Sequence, residues 1–307
     1  MNVKKRTESP ELLTLSSLNG RMKLTGKWML QYSNLEKGFE GERKFDEWLV
    51  TLPSTHLILN DLLLEHKNSQ FQIDSSIICQ KTIFNINVKN FEGDYYIDGE
   101  KWFTKSGKEI NNPFHQLDRS ESLLRLLLNE LGYKNFRLEK YLVFINPEFH
   151  LYQAPLKLPM VFPTQINRFI HQISNSPSKI SHTHKNLAEK IVSLHSSRPQ
   201  NLRLPEYSYG QLKKGVSCKS CCSFMVEQKN DFIICNKCGT SEGMVVAVLR
   251  NADELKLLFP DIKITTSILY DWCQVIKSKK NIQRILSYHF NMKGVGRSSY
   301  YVKKNAK

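Results

Sequence analysis

Residues Phe84–Tyr96 read "FNINVKNFEGDYY", and the fold turns on how they are read. Phe84, Ile86 and Val88 alternate with Asn85, Asn87 and Lys89. That period of two is a strand with one apolar and one polar face. "FEGDYY" follows as a turn centred on Gly93. Asn87 and Lys89 share the polar face. A carboxylate at the first of these positions and a lysine at the second would suit work on phosphates, but the first position holds an amide. The stretch is open to three readings: an active site, an altered one, or an edge strand.

Upstream, "SQFQIDSSIIC" alternates in the same way. Gln70, Gln72, Asp74 and Ser76 are expected on one face, with Phe71, Ile73 and Ile77 on the other. A hairpin with Gln80-Lys81 at its tip makes paired numbers sum to 161, so that Asp74 faces Asn87. A slip of two keeps the pair on one face, and a slip of one separates it. Gln-Lys is a poor two-residue turn, which leaves room for a longer tip.

Farther out, Ser9–Leu35 reads as helix in two pieces broken near Asn19-Gly20, with Ser9 as N-cap and Pro10 first. Another helix is expected over Phe39–Val50, stopped by Pro53. "THLILNDLLL" and "YLVFINP" read as strands, and "DYYIDGEKWF" as a second hairpin. Asn112, Pro113 and Gly132 bracket a helix with an apolar stripe of Leu123, Leu124, Leu127, Leu128 and Leu131. Helix, three strands, helix, strand is an α/β unit.

Two polar residues lie on apolar helix faces. Glu42 precedes Phe45 and Leu49 by three and seven residues, and Gln116 precedes Leu123 by seven. With Asp74 and Lys89 they suit metal-assisted phosphodiester hydrolysis. Carboxylates hold a hard dication such as Mg²⁺ or Mn²⁺, and the lysine stabilises developing charge.

These pieces resemble the NERD (nuclease-related) domain of Bacillus-type proteins. The matching segments over residues 36–150 are "GFEGERKFD", "NDLLLE", "SQFQIDSSII", "FNINVKNFEGDYY", Trp102 and "NPFHQLDRSESLL". The resemblance implies a restriction-endonuclease-like αβββαβ core of the PD-(D/E)xK superfamily. It implies catalytic positions at Glu42, Asp74, Asn87, Lys89 and Gln116. Two positions depart from the pattern: Asn87 replaces the usual Glu, and Ser75 a frequent His. Losing one negative charge weakens a dication site. Glu42 with Asp74 then suffices for a metal-dependent DNA phosphodiesterase, or the domain binds nucleic acid without cutting it.

"SCKSCCSFMVEQKNDFIICNKCG" holds two C-x-x-C pairs, Cys218/Cys221 and Cys235/Cys238, thirteen residues apart. The spacing and the strand-turn-strand between the pairs read as a zinc ribbon with four cysteine ligands, hence a structural zinc. Cys222 is an extra neighbour, while Cys79 and Cys273 read as core.

The chain has 307 residues and a formal charge of +15, of which nine Lys and Arg, with no Asp or Glu, fall in Trp272–Lys307. Three helices, "ADELKLLF", "TTSILYDWCQVI" and "SKKNIQRILSYHF", and the strand-turn-strand "NMKGVGRSSYYV" resemble a winged helix-turn-helix, a small α+β module. Its nucleic-acid contacts are expected at Lys279, Lys280, Gln283, Arg284, Lys293 and Arg297. The expected organisation is an N-terminal helical extension (1–35), the nuclease-like domain (36–173), a linker with one helix (174–211), the zinc ribbon (212–245) and the basic module (246–307). Apolar runs are too short for a bilayer, and "MNVKKRTESPELL" lacks a signal-peptide core, so a cytoplasmic protein with a nucleic-acid partner, DNA before RNA, and no membrane is expected. An RNA-binding or processing factor remains an alternative.

Overall fold

The computed structural model describes residues 1–196 and 202–304. The chain is a mixed α/β protein with several sheets. It divides into two compact units, Met1–Ser9 with Ser33–Leu202, and Pro10–Tyr32 with Arg203–Lys307. It opens with a short strand, β1 (Asn2–Lys4), then helix α1 (Pro10–Arg21) and a long helix α2 (Gly26–Leu49). The helix expected from Phe39 is the second half of α2. Gly38 and Gly41 lower the helical signal there, since glycine costs about 1 kcal/mol in a helix interior. The break expected near Asn19-Gly20 falls just beyond it: α1 runs through to Arg21 and α2 begins at Gly26.

In the first unit the chain continues with β2 (Leu57–His66), β3 (Ser69–Ile78), β4 (Thr82–Lys89), β5 (Gly93–Asp98), β6 (Lys101–Thr104) and β7 (Glu109–Ile110). Helix α3 (Pro113–Glu130) follows, then β8 (Arg137–Phe144), β9 (Phe149–Tyr152), β10 (Met160–Val161), α4 (Ile166–Ser174) and α5 (His182–Ser193). One six-stranded sheet has the order β1-β2-β3-β4-β8-β10, and a four-stranded sheet the order β7-β6-β5-β9. Of the registers the sequence left open, the β3–β4 hairpin takes the one in which paired numbers sum to 161: Ser75 pairs with Ile86, Ser76 with Asn85, Ile77 with Phe84 and Ile78 with Ile83. Cys79 N donates to Thr82 O at 2.8 Å, so Gln80 and Lys81 do form the tip.

Packing on both faces explains why this register holds. On one face Phe45 and Leu49 of α2 and Phe169, Ile170 and Ile173 of α4 pack with Phe84, Ile86 and Val88. On the other, Leu124, Leu127 and Leu128 of α3 and Leu187, Ala188 and Ile191 of α5 pack with Leu57, Leu59 and Ile83. A one-residue slip would exchange these faces, and each large apolar side chain is worth about 1.5–3 kcal/mol buried. Helix α5 falls in the polar stretch 174–211, yet its apolar stripe seats on the sheet.

The expected alternation of β3 breaks near Asp74. Ile73 packs with Leu62 and Leu64, whereas Ile77 packs in the opposite cluster. On β2 the same break falls at Asp61, whose backbone is left-handed (φ 54°). That conformation reverses the side-chain parity before and after it.

The second unit carries a three-stranded sheet, β11 (Val226–Lys229), β12 (Phe232–Cys235) and β13 (Ser241–Gly243), then α6 (Met244–Leu258), α7 (Thr266–Cys273) and α8 (Lys279–His289). It ends in an antiparallel pair, β14 (Phe290–Lys293) and β15 (Tyr300–Lys303). Thr265 caps α7, accepting from Ile268 N. Arg21 of α1 is buried here, paired with Glu254 at 2.5 Å and stacked 3.9 Å over Trp272. Among the described residues no helix is long and apolar enough to cross a membrane.

Candidate functional site

The first candidate site lies where β3 leaves β4. Their ladder ends at Ser75–Ile86, and the next residue, Asp74, supplies a side chain where backbone pairing stops. Its Oδ2 accepts from Val88 N at 2.8 Å. Asp74 is buried. Burial raises its pKa, opposed by the Lys89 charge and the Val88 N–H.

Glu42 reaches the same place from α2 because the helix comes very close to the strands there. A Cβ on Gly41 would sit 2.5 Å from Asn90 Cβ and 3.1 Å from Ile145 Cγ2. Asn90 Nδ2 donates to Lys37 O at 2.7 Å, tying the end of β4 to the same helix. Burial, then the charge of Asp74, push the Glu42 carboxyl up to about 8, while Arg6 pulls it down.

Asn87 is fully buried, and neither its Oδ1 nor its Nδ2 has a hydrogen-bond partner among the described residues. Its neighbour on the same strand face, Asn85, donates to Ser120 Oγ at 3.1 Å. Lys89 projects beyond the buried part and donates to Gln116 Oε1 at 2.8 Å. Gln116 is exposed, not inward as its helical position suggested. Its reference point, Leu123, is itself only half-buried, and Phe114 and Leu117 fill the core side of that turn. The sequence-predicted residues thus divide. Glu42 and Asp74 form an acidic pair, Asn87 is a buried amide, and Lys89 with Gln116 forms a polar rim.

One residue at this site was not expected. Arg6 lies in the segment after β1 and reaches into the acidic centre with its side chain only 3% exposed. Its Nη1 donates to Glu42 Oε2 at 2.6 Å. Its Nε and Nη2 fork onto Asp46 Oδ2 and Oδ1, both at 3.0 Å. Nη2 also reaches Asp74 O at 2.8 Å and Ser75 Oγ at 3.0 Å. Glu42 and Asp46 stand one turn apart on α2, a repulsive spacing for like charges, and the guanidinium bridges them. Lys4, from β1, adds a second cation beside Asp61 at 3.6 Å. No sequence pattern marks Arg6, because its partners lie 36 to 69 residues away.

A divalent ion does not fit this donor set. Such an ion takes six or more oxygens and favours charged ones. Here Glu42 Oε2 and both Asp46 oxygens are held by Arg6, Asp74 Oδ2 is held by Val88, and Asn87 is neutral. Among the described residues the only group of three or more metal-ligating side chains close enough to share an ion is elsewhere.

That group is Cys218, Cys221, Cys235 and Cys238, whose sulfurs all lie within 4.8 Å of one another. Cys218–Cys238 and Cys221–Cys235 stand at 3.6 Å. Four thiolates about 2.3 Å from a tetrahedral zinc stand about 3.8 Å apart, so the set fits such an ion. Each pair sits in a knuckle: Cys222 N donates to Cys218 O at 3.0 Å, and Gly239 N to Cys235 O at 2.9 Å. Gly239 has φ +74°, which a side chain would strain. Thr240, bonded to Cys238, holds that thiol down at about 6. Cys222 is exposed and outside the cluster, while Cys79 and Cys273 are buried.

On α8, Lys279, Lys280, Gln283 and Arg284 are exposed, as is Lys293 at the end of β14. They are opposite in character to the buried Ile282, Ile285 and Leu286 of the same helix. The side chain of Arg297 lies outside what the structure describes.

Residues 37–145 match the family model NERD, the nuclease-related domain. The matched span contains Glu42, Asp74, Asn87, Lys89 and Gln116 and ends before the cysteine cluster. No curated protein and no solved structure matches the chain.

Proposed function

We propose that this protein binds nucleic acid, DNA in preference to RNA, through a nuclease-related domain aided by its basic C-terminal module. The observation that carries this reading is the nuclease-related match over residues 37–145, with Asp74, Lys89 and Gln116 at one end of its sheet. In this reading the first unit is a restriction-endonuclease-like αβββαβ core. The cysteines form a zinc ribbon with structural zinc, and α6 to α8 with β14–β15 act as a winged helix in the cytoplasm. Lys89 has one ammonium proton committed to Gln116 Oε1. The remaining protons, with the amide group of Gln116, are free to donate to phosphate oxygens. Lys279, Lys280, Gln283 and Arg284 contact the duplex from α8, and Lys293 and Arg297 from the wing.

A second reading, a Mg²⁺- or Mn²⁺-dependent DNA phosphodiesterase weakened by Asn87, is favoured by one observation, the convergence of Glu42 and Asp74. An RNA-binding or processing role is the outcome if RNA competes better than DNA.

The test is binding to plasmid, duplex DNA and RNA in EDTA, followed by Mg²⁺ or Mn²⁺. Binding in EDTA without cutting supports the proposal. Cutting that needs metal and is abolished by Asp74→Ala supports the second reading. Absence of binding at low salt overturns both. Replacing Lys279, Lys280 and Arg284 together by Glu should lower affinity and flatten its log–log salt dependence by about 3, close to 0.9 per lost phosphate contact. An unchanged slope would remove α8 from the interface.

A further inference from the structure

We propose that Arg6, carried in by the N-terminal arm, is the resident cation of the nuclease-related centre and keeps divalent metal out of it. The inference rests on reading Glu42, Asp74, Asn87 and Lys89 as a nuclease-type centre, and it assigns that centre its counter-ion.

The arm is built into the sheet. Strand β1 pairs in parallel with β2 through Asn2–Ile58 and Lys4–Leu59. Val3 packs against the cluster formed by β2, α3 and α5. Lys4 Nζ donates to the carbonyls of Asn60 and Asp61 at 2.9 and 2.6 Å, across the left-handed kink of β2. Two residues later Arg6 turns into the acidic centre and takes up acceptors from two elements, Glu42 and Asp46 of α2, and Asp74 and Ser75 of β3. An arginine this deeply buried persists only because every donor group finds a partner.

The charges agree with the geometry. Glu42, Asp46, Asp61 and Asp74 bring four potential negative charges; Arg6, Lys4 and Lys89 bring three positive ones. A dication added to this set would face a fixed guanidinium already bonded to Glu42 and to both oxygens of Asp46. A second, independent sign is Asn87, whose buried amide has no partner among the described residues and sits next in register to Asp74. Four carboxyls already outnumber Arg6 and the two lysines, and a glutamate there would add a fifth. The amide and the arginine are two halves of one change, from a centre whose carboxyls face a bound metal to one whose carboxyls face the chain's own cations.

The test is Mn²⁺ binding to the zinc-loaded full chain, followed by the paramagnetic signal of free Mn²⁺. The wild type is expected to take up no Mn²⁺ that Asp74→Asn abolishes. Arg6→Gln is expected to bind at least tenfold more tightly, with the gain lost in Arg6→Gln/Asp74→Asn. If Arg6→Gln does not fold, Arg6→Lys keeps a positive charge but cannot fork onto Asp46, and is expected to show a smaller gain. Asp74-dependent Mn²⁺ binding by the wild type as tight as by the variants overturns the proposal, and so does a folded Arg6→Gln that binds no better than the wild type. Nucleic-acid binding in EDTA is scored separately. A chain that binds DNA but holds Mn²⁺ at Asp74 loses this inference and keeps the proposed function; a chain that binds no nucleic acid does the reverse.

Discussion

Replacing Asn87 by leucine should stabilise the first unit. The residue is fully buried in β4, beside Leu142 of β8 in the ladder. Neither amide atom has a partner among the described residues. A buried polar group without a hydrogen bond costs about 1–3 kcal/mol, and an apolar side chain of similar volume avoids that cost. We take the lower half of that range, because leucine branches differently and the strand must accommodate it. The expected gain is about 1–2 kcal/mol, read as a higher urea midpoint at unchanged slope for the first unit's transition. Asn87→Glu gives the opposite sign. It places a further carboxyl in a dry position next in register to Asp74, and an unpaired buried charge costs about 3–5 kcal/mol. Protonation relieves that cost, so the glutamate variant should recover toward wild type as the pH falls from 8 to 5. A leucine variant destabilised by more than about 1 kcal/mol would refute the reasoning, because it would mean the amide is satisfied and structural. A glutamate variant as stable as wild type at pH 8 in chelator would refute the claim that this position is dry.

Other consequences are open to direct measurement. The folded-state pKa of Glu42 lies above its ordinary 4.5, at about 8, so the stability it confers is complete below about 4.5 and is lost as pH rises through about 8. Asp74 is raised too and acts in the same sense. Urea midpoints taken from pH 5 to 8 should therefore fall, and Glu42→Gln should flatten that slope; an equally steep slope in the variant would remove Glu42 as its source. Gly41→Ala should cost about 1–3 kcal/mol, since the new Cβ meets Asn90 Cβ at 2.5 Å and helix α2 must back away. An unchanged thermal midpoint would show that the close approach is not needed. For the cysteines, metal analysis should give about one zinc per chain, lost in Cys221→Ser and kept in Cys222→Ser. Zinc lost from Cys222→Ser instead would exchange the roles of the two neighbours.

Much of this centre was legible in the sequence because period-two patterning and hairpin geometry are local. Alternation in "FNINVKN" set the two faces of β4 but left the register open; the structure takes the two-residue tip at Gln80-Lys81, which brings Asp74 beside Val88. The four-cysteine cluster was legible for the same reason, since two knuckles of fixed spacing carry their own geometry. What failed were inferences that carried a local pattern across a tertiary event. Counting by twos along β3 misassigned Ile73 and Ile77 to one face, because the alternation breaks where Asp61 adopts a left-handed backbone opposite Asp74. Spacing by sevens along α3 turned Gln116 inward, although the stripe it was matched to is half-buried at Leu123.

Arg6 shows why charge chemistry is the hardest part to read from a chain. Nothing in "NVKKRTE" distinguishes Arg6 from Lys4 or Lys5, and strand β1 is three residues long, too short to show a period. What makes Arg6 special is that β1 pairs with β2 beside the one position where β2 kinks, which aims the following residues at α2 and β3. The arginine then finds Glu42 and Asp46 at a helical spacing that is unfavourable without a cation. The substitution at Asn87 and the placement of Arg6 are each unremarkable alone. Together they replace charge on the ligand side and charge on the metal side of the same balance, which is why the amide in "FNINVKN" can be understood only after the N-terminal arm has been placed.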